Sequence, residues 1–456
     1  MNRTLAMHNE GRLILALTWV AMVLAMSAVA APTASAQTVQ SAGSACEHQP
    51  NPGTKIVPTR TFKPIVPGQA TQALENPLRR GVRSPLTLLT FGDSAVWGNG
   101  LEDRYKYAHL VATYVASATG RTVNVVAYAQ SGANIANEVD SCYESVIASD
   151  GGTPPGDLNA GLPTILQQEA AAAASGQYQD AELVLLDGCI NDVSAEKIAL
   201  PFPFSRVTPE EIRHLVRQWC SDKMLTLLQN TRHDFPLATV IVANYWLIIS
   251  DRSSPFGLTR SEKPAQFTPD QRALYRDYAN LIAAQVKAEA ATGQSFTGAQ
   301  ALSDPAAVLQ KWSDNSRAFL DSTEACFRWA VAAADGMSAE LDISVSCPGT
   351  ASVDPQPVTA AVRTFLAKVS DDPRYSYGAG REKRIWSVPS RFFRPDQLYQ
   401  QRGALCESHY RNRANKFICH VNPTAHPNVR GAKAYTDSIT QIMAVAWGSS
   451  RAPGHK

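Results

Sequence analysis

From Leu86 to Ala243 the apolar positions fall into short continuous runs separated by stretches of helical period. Leu86–Phe91, Val123–Ala129, Leu183–Leu186 and Ala238–Ala243 read as buried strands. Between them, Tyr105–Ala118 puts Ala108, Val111, Ala112 and Val115 on one face of a helix. Leu162–Ala174 is rich in Ala and Gln, and Pro209–Leu228 opens with Pro209-Glu210-Glu211; both predict helices. Strands alternating with helices predict βαβ units and a mainly parallel sheet, an α/β fold. From Asp251 to about Arg384 the rhythm breaks into loops rich in Pro and Ser. Helices are expected there near Pro269–Ala291 and Pro305–Ala334, with a further one at Val358–Val369. The block reads as a partly helical insertion at about 251–384, either a cap over the site or a decoration of the sheet edge. Phe319, Phe327 and Trp329 within it have the helical spacing of ordinary core. A closing helix is predicted over Asn428–Trp447.

The ends of the chain add a compartment. Arg3 and Arg12 precede an apolar stretch from Leu13 to Ala30, and Ala34-Ser35-Ala36 offers a small-residue cleavage site before Gln37. That layout predicts a signal peptide over residues 1–36 and a secreted or periplasmic mature chain with no stable membrane span. Residues 37–84 read as an extended arm, 85–448 as one domain, and 449–456 as a tail. Eight cysteines follow residue 36, an even number that in an exported chain favours disulfides. Close spacing pairs Cys326 with Cys347 and Cys406 with Cys419, and spacing alone leaves Cys46, Cys142, Cys189 and Cys220 unassigned. A formal net charge of +2 over 456 residues, with no long basic run, speaks against a nucleic-acid partner.

Four blocks carry candidate chemistry, the first three near strand ends. They are Phe91–Gly98 (F-G-D-S-A-V-W-G), Ala129–Asn134 (A-Q-S-G-A-N), Asp187–Asp192 (D-G-C-I-N-D) and His426–Gly431 (H-P-N-V-R-G). Here the chain resembles the SGNH, or GDSL, family of serine esterases and lipases, over roughly 85–243 and 417–447. The resemblance implies a three-layer α/β sandwich with a mainly parallel, flavodoxin-like sheet, and cleavage of carboxylic esters by a serine nucleophile.

Ester cleavage needs a nucleophile, a base and donors for the oxyanion. Ser94 is the nucleophile candidate, on a turn that Gly92 and Gly98 allow to be tight; the plainer alternative is a serine that only caps a helix. His426, before Pro427 and the last helix, is the base candidate, with His409 and His420 as rivals. The oxyanion hole would combine the N–H groups of Ser94 and Gly132 with the side-chain amide of Asn191. Gly132 could instead be a plain turn glycine, Asn191-Asp192 a helix cap, and Asp93 reads as structural. Two positions depart from the family's pattern. Cys189 stands where the third block usually has glycine, and its disulfide, to Cys220 for example, would shape that loop. Pro423 stands where the fourth block usually has the acid, so Asn422 or a main-chain carbonyl is left to orient the imidazole. No metal and no organic cofactor is implied. The expected partner is a small-molecule, lipid or acylated-glycan ester substrate, and the expected state a monomer. Hydrolysis leads, ahead of acyl transfer on the same Ser–His machinery and of a non-catalytic envelope or carbohydrate-binding protein on the same fold.

Overall fold

The computed structural model describes residues 56–69, 73–76, 78–136, 156–158, 163–195, 198, 207–248, 305–334, 347, 364–367, 397–410 and 426–450. The apolar runs form the predicted strands. The arm supplies β1 (Arg60–Thr61) and β2 (Ala73–Leu74). The main chain of the sheet is β3 (Leu86–Phe91), β4 (Val123–Ala127), β5 (Leu183–Leu186) and β6 (Thr239–Ala243). A short β7 (Thr364–Ala367) and β8 (Ser449–Ser450) follow. Six strands lie in the order β1-β4-β3-β5-β6-β7, all parallel except β1, which runs antiparallel along β4. Leu88 of β3 sits between Val125 and Leu183, both fully buried, as a strand covered on both faces requires.

The connecting helices are α1 (Ser94–Trp97), α2 (Tyr107–Thr119), α3 (Ile165–Ala174), α4 (Ile190–Val193), α5 (Pro209–Asp234), α6 (Pro305–Ala334), α7 (Tyr399–His409) and α8 (Val429–Ala446). Helices α2 and α8 pack together on one side of the sheet, while α3, α4 and α6 pack against α5 on the other, giving three layers. Helix α5 starts where Thr208 accepts the Glu211 N–H, with Pro209 in the first turn. It runs six residues past the expected Leu228, because Thr231 continues the face of Ile212, Val216, Cys220, Met224 and Leu228 that is buried on the sheet. The predicted faces of α2 (Ala108, Val111, Ala112, Val115) and α6 (Phe319, Phe327) are buried, and Trp329 packs against the same core.

One expectation is corrected. Within Val358–Val369, taken as helical, residues 364–367 instead form β7 and pair with Val240–Ala243 of β6. A short run such as Thr364-Phe365-Leu366-Ala367 suits either state by periodicity, and the open edge of β6 decides for the strand. Of the block at 251–384, the described residues 305–334 and 364–367 thus join one helical layer and the sheet. The predicted helix at 269–291 and the signal peptide at 1–36 lie outside the described residues.

Two of the expected disulfide connections are present, Cys326–Cys347 and Cys189–Cys220. Cys406 is also disulfide-bonded, to a cysteine outside the described residues. The amino edge of the sheet is closed by a buried ion pair in which both Arg121 nitrogens Nη1 and Nη2 donate to Glu182. Asn76 Nδ2 from the arm donates to the same carboxylate at 3.2 Å, and Arg121 Nε donates to the Ser84 carbonyl at 2.8 Å. No helix among the described residues is long and apolar enough to cross a membrane.

Candidate active site

With the five parallel strands numbered along the chain, their order is 2-1-3-4-5, the doubly wound arrangement whose crevice opens at the carboxyl ends of its first and third strands. Here those strands are β3 and β5. Ser94 is the third residue after β3, and Asn191 the fifth after β5.

Ser94 begins the one-turn α1, capped by Asp93, whose Oδ1 accepts the Ala95 N–H at 2.8 Å. Gly92 has φ +153, and a Cβ there would stand 2.1 Å from Asp187 Oδ1, so only glycine lets the turn close on that carboxyl. Gln168 of α3 clamps the same residue, accepting the Gly92 N–H at 2.8 Å and donating to its carbonyl at 3.1 Å.

His426 Nε2 lies 2.5 Å from Ser94 Oγ. Two residues later Asn428 caps α8, its Oδ1 accepting the N–H groups of Arg430 and Gly431. Helix α8 is pinned at both ends of β6: Tyr435 Oη donates to the Asn244 carbonyl at 2.7 Å and Trp447 Nε1 to Thr239 Oγ1 at 2.7 Å. The half-buried imidazole packs 6.2 Å from the Trp246 ring. Of the rival histidines, His409 sits at the end of α7, and His420 lies outside the described residues, as do Asn422 and Pro423.

The three candidate oxyanion donors come from three segments. The Ser94 N–H is the first of α1 and has no intrahelical acceptor. Gly132, at φ +82, sits in a turn whose flanking N–H groups are used: Ser131 donates to Gly156 and Ala133 to Gln130. Asn191 Nδ2 donates to the Ala133 carbonyl at 3.0 Å, which ties the amide to the Gly132 turn and leaves a second N–H. Asn191 and Asp192 lie inside α4, whose N-cap is Cys189, so neither caps that helix as the plainer reading expected. Asp192 instead accepts the Ile135 N–H at 2.9 Å, a second tie between α4 and the Gly132 segment; burial pushes its carboxyl up to about 7. Cys189 has φ +108, a backbone that favours glycine, and it is held there by its disulfide to Cys220.

Asp93 is structural, as expected, but it belongs to a network the sequence did not disclose. Asp187 accepts the N–H groups of Asp93 and Val96, each at 2.8 Å. Tyr245, two residues past β6, donates its hydroxyl to Asp93 Oδ2 and accepts the Ile190 N–H at 3.2 Å. Burial pushes Asp93 up to about 6, opposed by its bonds from Tyr245 and Ala95, and burial with the nearby Asp93 charge holds Asp187 well above the usual carboxylate range. Asn99 was also missed: its N–H donates to the Ser94 carbonyl at 3.0 Å and its Nδ2 to Ser131 Oγ at 2.8 Å. The one signal for Tyr245 was its place just beyond a strand, at the sheet edge that carries Ser94. Among the described residues no group of three or more His, Cys, Asp or Glu is placed to hold a metal ion.

No family model matches the chain, and no curated protein does. Among solved structures it is similar to an extracellular lipase from Streptomyces rimosus, 18% identical, with 46% of this chain and 79% of that one covered at a TM-score of 0.24. It is also similar to a phospholipase A1 from Streptomyces albidoflavus, 15% identical, with 47% and 78% covered at a TM-score of 0.23. Scores of this size carry no argument about chemistry, which rests on the side chains: a doubly wound α/β protein with a Ser–His pair at the switch point of its sheet.

Proposed function

We propose that the chain is a serine hydrolase, and within that class an exported hydrolase of carboxylic esters. The observation that carries the reading is the 2.5 Å approach of His426 Nε2 to Ser94 Oγ, across 332 residues of sequence. In this reading His426 Nε2 takes the hydroxyl proton as Oγ attacks the ester carbonyl carbon. The carbonyl oxygen gains the negative charge and is met by the N–H groups of Ser94 and Gly132 and the amide of Asn191. The imidazolium gives its proton to the leaving alcohol as the C–O bond breaks, leaving an acyl-serine. Water, deprotonated by the same imidazole, releases the acid and restores Oγ–H. The N-terminal charge-apolar-small pattern and the disulfides support export.

The test is hydrolysis of p-nitrophenyl esters from C2 to C16 by the wild type, Ser94→Ala and His426→Ala. Hydrolysis by the wild type that falls at least 1,000-fold in both variants is expected, since losing a nucleophile or its base can cost up to about a million-fold in kcat. Equal rates in wild type and Ser94→Ala would sink the reading.

A further inference from the structure

The site's three oxyanion donors are useful only if their segments hold one geometry, and each pair of segments has its own tie. Asn99 joins the Ser94 turn to the Gly132 segment, and Asn191 and Asp192 join the Gly132 segment to α4. The third side of the triangle, from the Ser94 turn to α4, is held by Asp187 just before α4 and, at α4 itself, by a residue outside all four sequence blocks. Tyr245 is fully buried, and its hydroxyl is saturated in opposite directions: it donates to Asp93, the residue before the nucleophile, and accepts from Ile190, the residue before Asn191. Its ring is held by Phe319 of α6, with centroids 5.2 Å apart, and by Trp246 at 6.0 Å.

We propose that Tyr245 is a positioning residue for ester hydrolysis, its hydroxyl fixing the distance between the nucleophile turn and the oxyanion amide of Asn191. The proposal rests on the ester-hydrolase reading above. It also gives α6 a part in catalysis at one remove, since Phe319 buttresses the ring. A hydroxyl that only filled space or stabilised the core would affect folding and leave turnover alone. One that sets the register of two catalytic segments affects kcat, because a donor displaced by about 1 Å can forfeit about 100-fold in rate.

The experiment compares the full-length wild type, Tyr245→Phe, Asn191→Ala and the double variant on p-nitrophenyl butyrate, well below each melting temperature. Phenylalanine keeps the ring contacts and removes only the two hydrogen bonds. The expected result is a kcat lowered about 10- to 100-fold in Tyr245→Phe, with KM within about twofold of wild type. In the Asn191→Ala background, the same substitution should lower kcat by less than about threefold, since the donor it positions is gone. A kcat within about twofold of wild type, or the same full factor in both backgrounds, would overturn the proposal. If Tyr245→Phe does not fold, Phe319→Leu carries the test: it should lower kcat in the same sense without moving KM, and an unchanged kcat would refute the role. A wild type inert on every ester would overturn this proposal together with the hydrolase reading. An active wild type with an indifferent Tyr245→Phe would overturn this one alone.

Discussion

Cys189 sits where glycine would be at ease, and replacing it separates two contributions that act in opposite directions. Its disulfide to Cys220 spans a sequence separation of 31. On the chain-entropy model, closing a loop of that size stabilises the fold by about 3.7 kcal/mol. Against this stands the backbone at φ +108, which for a residue with a Cβ costs on the order of 1–2 kcal/mol. The informative comparison is Cys189→Ala/Cys220→Ala against Cys189→Gly/Cys220→Ala, since both lose the bond and the same volume at the buried Cys220. At an ordinary position alanine is the more stable choice by about 0.4–1 kcal/mol, because it restricts the unfolded chain. Here the order should invert, with the glycine variant ahead by about 1 kcal/mol after that penalty. Urea unfolding of the two variants measures the difference directly. Ester turnover supplies a second reading: with Asn191 two residues downstream, the glycine variant should retain more of the wild-type kcat than the alanine variant. An alanine variant as stable as the glycine variant, or more so, would refute the claim that this backbone is strained.

Two further outcomes are expected. Glu182→Gln leaves the buried Arg121 without its carboxylate and should cost about 3–5 kcal/mol in urea unfolding. Arg121→Met/Glu182→Leu should recover most of that, with kcat unchanged in both because the pair lies at the amino edge, away from Ser94; equal losses in both variants would refute the account. Glu169, buried on α3, has its carboxyl raised to about 8 by burial and by its hydrogen bond with Asp234. The folded state therefore holds a proton the unfolded chain has released, and stability should fall as pH rises from about 4.5 to about 8. Glu169→Gln should flatten the decline of melting temperature across that window without abolishing it, since Asp192 acts in the same direction; an unchanged slope would refute it.

The strands and helices that bury whole faces were legible in the sequence because their signal is local. Leu86–Phe91, Leu183–Leu186 and Pro305–Ala334 have the boundaries read from the chain. Where the outcome depends on a partner, the local signal fails: Thr364–Ala367 is a strand because β6 offers an edge. The same division runs through the site. Ser94, Gly132, Asn191 and His426 could be nominated because each sits in a short block at a strand or helix end. Tyr245 and Asn99 could not, since each acts through a bond to a residue 152 or 32 positions away, and neither belongs to a pattern. Cys189 was visible as a departure, and its positive φ explains the place of glycine in the pattern it departs from.

The two edges of the sheet deal with buried charge in different ways. At the amino edge, full charges are kept and paired, Arg121 against Glu182, with Asn76 drawing in the arm. At the carboxyl edge three carboxyls are buried around the Ser94 turn and its neighbours, and the Lys223 charge lowers Asp192 less than burial raises it. Asp93, Asp187 and Asp192 accept backbone N–H groups, and burial raises all three. Under the proposed ester hydrolysis, negative charge builds on a substrate oxygen close to these carboxyls. Burial opposes the ionisation of these carboxyls while they brace the turn through hydrogen bonds, and negative charge on them in a dry site would oppose an oxyanion. Neutral ties through Tyr245, Asn99 and Gln168 keep the geometry and leave the oxyanion to its own donors.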